Sequence, residues 1–273
     1  MTPLVLKLGG ELLETPPQRA RIAALAAATL IDRPLVIVHG GGRAIDVELG
    51  RRQIAPKKVD GLRITDAETL DAVVSVLAGA SNTDLVAACV TAGVPAVGLT
   101  GVDAGLGRAA RTAAHRTTDG SLVDLGFVGD PMDVDPTLIR LLLDHRYVPV
   151  IASLGLDQPS VAAPSVLNVN ADVMACRIAA SLSGSDLVIA GGTPGVLDQS
   201  GQSIPSMDTD GIDDAISSRT ATAGMVAKLA SCRAALVAGV TSVRIIDGRT
   251  LDGTHGVGAA TGTLLTLATA STR

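Results

Sequence analysis

Short apolar runs that end in glycine limit the folds open to this chain more than any other feature. Residues 4–10 read Leu-Val-Leu-Lys-Leu-Gly-Gly, and residues 35–42 read Leu-Val-Ile-Val-His-Gly-Gly-Gly. Each run predicts a buried parallel strand that is followed by a helix. Glycines at a strand end let backbone N–H groups approach an anion, which the next helix N-terminus also favours. Lys7 lies inside the first run, where an unpaired charge is unfavourable, so the pattern indicates phosphate chemistry.

The same alternation of strand and helix continues along most of the 273 residues. It predicts an α/β fold with a mainly parallel sheet. The predicted strands are Val5–Leu8, Leu35–Val38, Ala96–Leu99, Val148–Ala152, Leu187–Ala190 and Val243–Ile246. The predicted helices are Arg19–Ile31, Ala44–Arg52, Asp66–Leu77, Thr83–Ala92, Pro136–Leu143, Asp172–Leu182 and Met225–Val237.

Two segments depart from this alternation and predict antiparallel hairpins. Residues 111–130 alternate around a Thr-Asp-Gly turn at 118–120, and we expect this hairpin to stand off the sheet. The second turn is Asp-Gln-Ser-Gly at 198–201. No Gly/Ser-rich or Pro-rich linker divides the chain. A Ser-Gly-Ser segment closes a long helix at 183–185, so we place a functional boundary between 1–183 and 184–273, within one continuous sheet.

Composition excludes several classes of function. The formal net charge is −5 and basic runs do not exceed two residues, so we expect no nucleic-acid partner. Aromatic residues make up only 1% of the chain, which removes the stacking platforms that single strands use. Cys89, Cys176 and Cys232 lie singly in apolar stretches, and we expect free thiols in a reducing compartment. No signal peptide is visible and no apolar run reaches about 18–20 residues, so we expect a cytoplasmic protein without a membrane partner.

Known nucleotide-binding and hydrolase signatures are absent. The chain has no GxxxxGK[ST] phosphate loop, and the contiguous glycines at 40–42 do not fit GxGxxG spacing. A His-Gly-Gly-Gly run can supply an esterase oxyanion hole, but no GxSxG nucleophile elbow follows it. The four histidines show no metal-ligand spacing.

Polar residues add candidate ligand contacts, each with a simpler explanation beside it. Asn168 and Asn170 alternate on a predicted extended segment, so both amides can face one ligand. Asp172 lies near the next helix start, where it either caps the backbone or orients lysine ammonium groups. An Asx-rich turn explains the same three residues without a ligand. Arg63 is either a solvated residue or a fork for a carboxylate, and Lys228 is either a snorkelling lysine or a charge in the site.

These motifs, in this order, resemble those of the amino-acid kinase family over essentially the whole chain. They are Lys-Leu-Gly-Gly at 7–10, His-Gly-Gly-Gly at 39–42, Gly-Leu-Arg at 61–63, Leu-Asn-Val-Asn-Ala-Asp at 167–172, Gly-Val-Leu-Asp at 195–198 and Gly-Met-Val-Ala-Lys at 224–228. The glycine turns alone mark the wider family. Arg63 combined with Asn-x-Asn-Ala-Asp resembles the branch that phosphorylates N-acetyl-L-glutamate.

The resemblance implies an open, mostly parallel sheet in an α/β/α sandwich. An N-terminal part would bind the amino acid and dimerise, and a C-terminal part would bind the nucleotide. The implied reaction moves the γ-phosphoryl group of ATP to the side-chain carboxylate of N-acetyl-L-glutamate, early in arginine biosynthesis. Because a carboxylate is already a nucleophile, alignment and charge neutralisation suffice without a general base. Mg²⁺ is expected to be carried by the nucleotide phosphates, with no metal site of the protein's own.

The resemblance also implies roles for individual residues. Lys7 would stabilise the phosphoryl group in flight, Lys228 would act on the leaving-phosphate side, and Asp172 would hold both ammonium groups. Arg63 would pair with the substrate α-carboxylate. The other expected substrate contacts are Gly41, Gly42, Asn168 and Asn170, and the expected nucleotide contacts are Gly9, Gly10, Gly191, Gly192, Thr193, Gly195 and Thr222.

Two features depart from the family pattern. Relatives carry an aspartate in the turn where this chain has Gly191-Gly192, which leaves nucleotide affinity and choice open. The first predicted strand begins by residue 4, without the N-terminal helix that links dimers of arginine-inhibited relatives into hexamers. We therefore expect a homodimer that arginine does not strongly inhibit. Two other functions stay open: a kinase of the same family for carrier-bound aminoadipate, and a catalytically silent, ligand-binding regulator.

Overall fold

The computed structural model of the protein describes residues 2–117, 120–158, 166–218, 223–251, 257 and 261–268. Its strands are β1 (Leu4–Leu8), β2 (Leu35–His39), β3 (Lys58–Val59), β4 (Leu62–Arg63), β5 (Ala96–Thr100), β6 (Gly107–Arg111), β7 (His115–Arg116), β8 (Leu122–Val123), β9 (Val128–Val134), β10 (Val148–Ala152), β11 (Leu154–Asp157), β12 (Val166–Val169), β13 (Asp186–Gly191), β14 (Ser206–Asp208), β15 (Ser242–Asp247) and β16 (Gly262–Thr266). Its α-helices are α1 (Pro16–Asp32), α2 (Gly42–Arg51), α3 (Ala67–Val74), α4 (Asn82–Thr91), α5 (Thr137–Asp144), α6 (Ala171–Ser181), α7 (Thr209–Ser217) and α8 (Ala223–Val237).

One eight-stranded sheet forms the centre of the molecule. Its strand order is β14-β16-β15-β13-β1-β2-β10-β5, and its pairs are parallel except for β15 with β16. Helices α1 and α4 pack on one face, and α5, α6 and α8 pack on the other. The predicted α/β class and mostly parallel sheet are therefore confirmed, and the six predicted strands lie within it.

Alternation along β1 decides which way its lysine points. Leu4, Leu6 and Leu8 belong to the apolar cluster under α1 and α4, whereas Val5 belongs to the cluster under α6 and α8. Side chains of successive strand residues point to opposite faces. Lys7 therefore lies on the α6 face, like Val5.

Local sequence explains where α1 begins. Thr15 caps the helix, since its side chain accepts from the backbone N–H of Gln18 while the Gln18 side chain accepts from the Thr15 backbone N–H. Pro16 occupies the first helical position, where no N–H is needed. Ile22 and Leu25 are fully buried on the face that meets the sheet and α4. Helices α1 and α4 thus support one face of β1 and β2. Because these two strands pair in parallel, their carboxyl ends lie at the same edge of the sheet.

The structure confirms both predicted hairpins in the described residues. Strands β7 and β8 pair antiparallel as a separate two-stranded sheet, although residues 118–119 of the predicted turn lie outside the described residues. At the second hairpin, Leu197 bridges Ser203, and the N–H of Gly201 donates to the carbonyl of Asp198.

Three elements were not expected from the sequence. Strands β6, β9, β11 and β12 close into a small barrel beside the main sheet, and β3 pairs with β4 in a two-stranded sheet. A π-helical stretch, Ser75–Ser81, joins α3 to α4. The barrel carries Asn168, and the two-stranded sheet carries Arg63, so both elements position residues of the predicted site.

The helical run from α3 to α4 is unusually apolar. Residues 67–91 form a helical run of 25 residues that is long and apolar enough to cross a membrane by length and composition. Its most apolar stretch of 18 residues has a mean hydropathy of 1.6, and 33% of that stretch is buried. In the structure α4 packs on α1, β5 and β10. Core helices of soluble proteins meet the same two criteria, so the run does not establish a membrane span.

The proposed division near residue 183 does not interrupt the sheet. Strand β13, which follows that position, pairs along its length with β1. The boundary between an amino-acid part and a nucleotide part therefore stays a prediction about function.

Candidate active site

A pocket of about 280 Å³ opens at the carboxyl ends of β1 and β2. Open parallel sheets bind ligands at this edge. Many of its lining residues are ones that the sequence singles out: Lys7, Gly9, Gly10, Gly41, Gly42, Arg63, Asn168, Asn170 and Asp172. These residues come from four separate segments of the chain.

Asp172 lies between the two lysines of the predicted site. Its Oδ1 is 2.7 Å from the Lys7 Nζ, and its Oδ2 is 3.5 Å from the Lys228 Nζ. All three side chains are at most 16% exposed. Burial raises the pKa of Asp172, but the charges of Lys7 and Lys228 outweigh burial, so that the net pKa lies below its usual value. The carboxylate is therefore ionised and screens the two ammonium groups from each other.

The first two glycine turns touch each other through their backbones. A Cβ atom at Gly10 would lie 2.8 Å from the Gly41 Cα, and one at Gly41 would lie 2.8 Å from a Leu77 methyl group. Neither approach leaves room for a side chain. Helix α2 begins at Gly42, directly after this contact, so its free N–H groups face the pocket region and favour an anion.

A buried neutral histidine supports the second turn. His39 is fully buried, and burial lowers its pKa to about 4. The Asn82 amide donates both to the His39 Nε2 (3.1 Å) and to the Val150 carbonyl (2.9 Å). The other ring nitrogen, Nδ1, lies 3.2 Å from the Gly40 carbonyl, so it carries the proton and donates. His39 thus anchors the glycine turn and is not a proton donor to a ligand near pH 7.

Arg63 also lines the pocket and is held by an acidic partner. Its Nη2 donates to the Gly42 carbonyl (3.0 Å) and to Asp46, and the same carboxylate accepts from Lys58 at 2.7 Å. Burial raises the pKa of Asp46, yet Lys58 and Arg63 together bring it below its usual value. The Arg63 Nη1 is buried without a hydrogen-bond partner. One edge of the guanidinium is therefore free for a carboxylate ligand.

The two asparagines have different environments. Asn168 lies in β12, and its amide donates to the Thr65 hydroxyl at 3.2 Å. The Oδ1 of Asn170 accepts from the backbone N–H groups of Asp172 and Val173, so Asn170 and not Asp172 caps α6. Capping by Asn170 leaves the Asp172 carboxylate to the lysines.

Of the expected nucleotide contacts, Gly9 and Gly10 line this pocket, whereas the turn after β13 lies outside its lining. Gly191 ends β13, the strand next to β1, and Gly192 and Thr193 follow it. Gly195 faces inward: its φ is +135°, and a Cβ there would lie 2.5 Å from the hydroxyls of Ser203 and Thr263. None of these four residues lines the pocket. Thr222 lies outside the described residues.

Four pocket residues or supports escaped the sequence analysis. Asp46, Lys58 and Glu11 are charged residues of ordinary type, and only their fold positions bring them to the pocket or to Arg63. Asn82 is the single amide side chain of the largely apolar helix α4, and this was the signal that the sequence offered. Among the described residues no group of three or more acidic, histidine or cysteine side chains could hold a metal ion.

Two lysines that share one carboxylate can stabilise the negative charge of a phosphoryl group during its transfer, as phosphoryl-transfer enzymes require. The family model of the amino acid kinase family matches residues 2–247. The chain belongs to the amino acid kinase family, and it is an enzyme, a kinase.

Within this family, the chain is similar to curated acetylglutamate kinases. The chain is 37% identical to the acetylglutamate kinase of Delftia acidovorans over 248 residues, which cover 90% of this chain and 82% of the relative. It is 39% identical to the acetylglutamate kinase of Bradyrhizobium diazoefficiens over 253 residues, covering 90% and 84%. Among solved structures, smu.665 from Streptococcus mutans matches with a TM-score of 0.74 at 27% identity, covering 97% of this chain and 99% of that one.

Proposed function

We propose that the protein transfers the γ-phosphoryl group of ATP to the side-chain carboxylate of N-acetyl-L-glutamate. The products are N-acetyl-L-glutamyl 5-phosphate and ADP, in an early step of arginine biosynthesis. The observation that carries this proposal is one pocket that contains both the free edge of Arg63 and the Lys7–Asp172 pair. The similarity to curated acetylglutamate kinases supports the choice of acceptor.

The acceptor binds through its two ends. Arg63 takes the α-carboxylate with its unpartnered Nη1, and Asp46 keeps the guanidinium in position. Asn168 and Asn170 line the same pocket, and they hydrogen-bond the acetamido group or a carboxylate of the acceptor. The attacking carboxylate then lies against the Gly41–Gly42 turn, where backbone N–H groups orient it.

Lys7 and Lys228 neutralise charge along the path of the phosphoryl group. Lys7 donates to the group in transfer, and Lys228 acts on the side of the leaving phosphate. Asp172 reduces the repulsion between the two ammonium groups and fixes both. No general base is needed, because the acceptor carboxylate is ionised at neutral pH. Preorganised charged donors of this kind stabilise the charge that develops in the transition state.

The nucleotide binds across the ends of β1 and β13. Backbone N–H groups of Gly9 and Gly10 serve the phosphates, and the turn that contains Gly191, Gly192, Thr193 and Gly195, together with Thr222, serves the rest of the nucleotide. Mg²⁺ accompanies the nucleotide on its phosphate groups, because it prefers oxygen ligands. When bound, this ion withdraws charge from the phosphate oxygens.

Acyl-phosphate formation tests the proposal directly. The purified protein, ATP and Mg²⁺ are mixed with one acceptor at a time, and hydroxylamine traps any acyl phosphate as a hydroxamate. The acceptors are N-acetyl-L-glutamate, L-glutamate, N-acetyl-L-aspartate and N-acetyl-L-aminoadipate. We expect hydroxamate chiefly with N-acetyl-L-glutamate. A preference for the aminoadipate compound would favour the other acidic substrate, and no hydroxamate with any acceptor would overturn the proposal.

We also propose that two copies of the chain form a homodimer through the apolar helical run at 67–91. Ala80, Ala87 and Val90 are exposed on this run, whose most apolar stretch of 18 residues has a mean hydropathy of 1.6. Burial of such a surface against a second copy is favourable. Size-exclusion chromatography with light scattering should give twice the chain mass for the parent protein. Val90→Asp should give monomer, whereas Ile31→Asp, at an exposed position on α1, should leave the dimer intact.

A further inference from the structure

Glu11 occupies the space between two glycine turns. It follows Gly10 in a single turn of 3-10 helix, Gly10–Leu12. Any Cβ atom at Gly9 would collide with the Glu11 carboxylate, and Cβ atoms at Gly191 and Gly192 would lie 3.4 and 3.7 Å from its Oε1. The φ of Gly9 is −64°, which any residue adopts. Glycine at position 9 therefore does not relieve backbone strain; the exposed Glu11 carboxylate lies in the space that a side chain of residue 9 would take.

The two turns are adjacent because their strands are adjacent. Strand β1 pairs with β13 in parallel, and the Gly9 N–H donates to the Ala190 carbonyl at 2.9 Å. Residues 191–195 read Gly-Gly-Thr-Pro-Gly, so this turn carries no carboxylate of its own. Glu11 brings a carboxylate to this turn from the 3-10 turn that follows β1.

The charge of Glu11 is not neutralised by an ion pair. Two carboxylates line the pocket, and Asp172 is held by both lysines. Within the described part of the chain, no lysine, arginine or histidine nitrogen lies within 4 Å of the Glu11 carboxylate. The charge of Glu11 contributes to raising the pKa of Arg249, but the Arg249 guanidinium donates to Asp247 at 2.8 and 2.9 Å. A negative group thus faces the place where the proposed function puts the phosphates.

We infer that Glu11 binds the divalent cation that accompanies the nucleotide phosphates, either directly or through a water ligand of the ion. This inference rests on the proposed function. A bare carboxylate beside polyphosphate repels it, whereas a cation between them attracts both. Mg²⁺ in phosphoryl-transfer sites is commonly held by one or two carboxylates together with the phosphate oxygens. Glu11 therefore makes nucleotide binding depend on the metal.

Binding of ADP with and without metal tests the role of Glu11. Isothermal titration calorimetry measures the Kd for ADP in EDTA and in excess MgCl₂, for the parent and for Glu11→Gln, which keeps the shape of the side chain and removes its charge. We expect Glu11→Gln to weaken Mg·ADP binding about 10-fold and to leave or improve metal-free ADP binding. Glu11→Asp should restore part of the metal preference.

Glu14→Gln is the matched control. Glu14 lies in the same segment, is exposed and pairs with Arg43 at 3.4 Å, but it does not line the pocket. It should keep the metal preference of the parent. Equal changes in both Kd values for Glu11→Gln, or no change in either, would overturn the inference. The hydroxylamine assay on the parent separates the two proposals. If the parent forms hydroxamate and Glu11→Gln keeps the metal preference of the parent, only the role of Glu11 is wrong. If Mg·ADP binding depends on Glu11 but the parent forms no hydroxamate, only the proposed acceptor is wrong. If the parent binds no ADP, both proposals are wrong.

Discussion

The proposed amino-acid side of the site and its proposed nucleotide side, which includes the turn beside the pocket, are built differently. On the amino-acid side, polar side chains are held by other groups: Arg63 by Asp46, and Asn170 by the first N–H groups of α6. On the nucleotide side, the turn at 191–195 is mainly backbone, and its Gly195 packs inward on Thr263. Side chains fixed in this way can select one acid by its carboxylate and amide. A backbone turn recognises features that all nucleotides share.

Lys7 lies between the two sides, and its removal should have the largest effect. Lys7→Ala should lower kcat by about 10²–10³-fold, because a preorganised charged donor to the transferring group is lost. The KM values for ATP and N-acetyl-L-glutamate should change little, since neither side loses a ground-state contact. Steady-state kinetics with both substrates measure this. Lys57→Ala, at an exposed lysine, is the control; an unchanged kcat for Lys7→Ala would remove Lys7 from the mechanism.

The glycine turn on the amino-acid side depends on neutral His39, and this dependence should appear as a loss of stability in acid. The pKa of His39 is about 4 in the folded protein and about 6.5 when unfolded. Its contribution is therefore complete above pH 6.5 and is lost as the pH falls towards 4, by about 3 kcal/mol in total. Urea unfolding at several pH values measures the free energy of unfolding.

His39→Gln should flatten the stability profile between pH 6.5 and 4, at the cost of lower stability at neutral pH. His145→Gln, at an exposed histidine, should keep the parent profile. A parent protein whose stability does not change across this interval would show that His39 is protonated in the fold or that its pKa is ordinary.

Arg63 tests whether the amino-acid side acts alone. Arg63→Ala should raise the KM for N-acetyl-L-glutamate about 30-fold, which corresponds to about 2 kcal/mol for a charge-assisted hydrogen bond. The KM for ATP should stay within about twofold, since Arg63 is not among the proposed nucleotide contacts. Arg51→Ala, at an exposed arginine of α2, is the control. Equal increases in both KM values would show that the two sides are coupled.

Gly195 tests the nucleotide side, where we expect a structural effect of smaller size. Gly195→Ala places a side chain at φ +135° against Ser203 and Thr263, which should lower the free energy of unfolding by about 1–2 kcal/mol. Gly50→Ala in α2 meets nothing within 4 Å and should be neutral or stabilising by less than about 1 kcal/mol. Thermal unfolding compares the two variants. Equal stability would mean that the turn can relax around a side chain.

Much of the amino-acid side could be predicted from the sequence, because its signals are local. The apolar run around Lys7 predicts a buried strand, and residue alternation places Lys7 opposite the leucines on either side of it. Asn170 and Asp172 lie at a predicted helix start, although the structure assigns capping to Asn170 alone. Asp46, Lys58 and Glu11 were missed for the opposite reason. Each is an ordinary charged residue, and its neighbours in the sequence do not indicate what it contacts.

The amino-acid sequence by itself determined the strands, most helix positions and the glycine turns, since hydrophobic periodicity and glycine act within a few residues. Parallel strands also place those turns at one edge, whatever the strand order. Only the tertiary structure decided that β13 lies beside β1, that Asp46 holds Arg63, and that Glu11 covers Gly191. Each of these contacts joins two segments that are separated along the chain. Their formation depends on the hydrogen-bond ladder and the packing of the whole sheet, which no local pattern specifies.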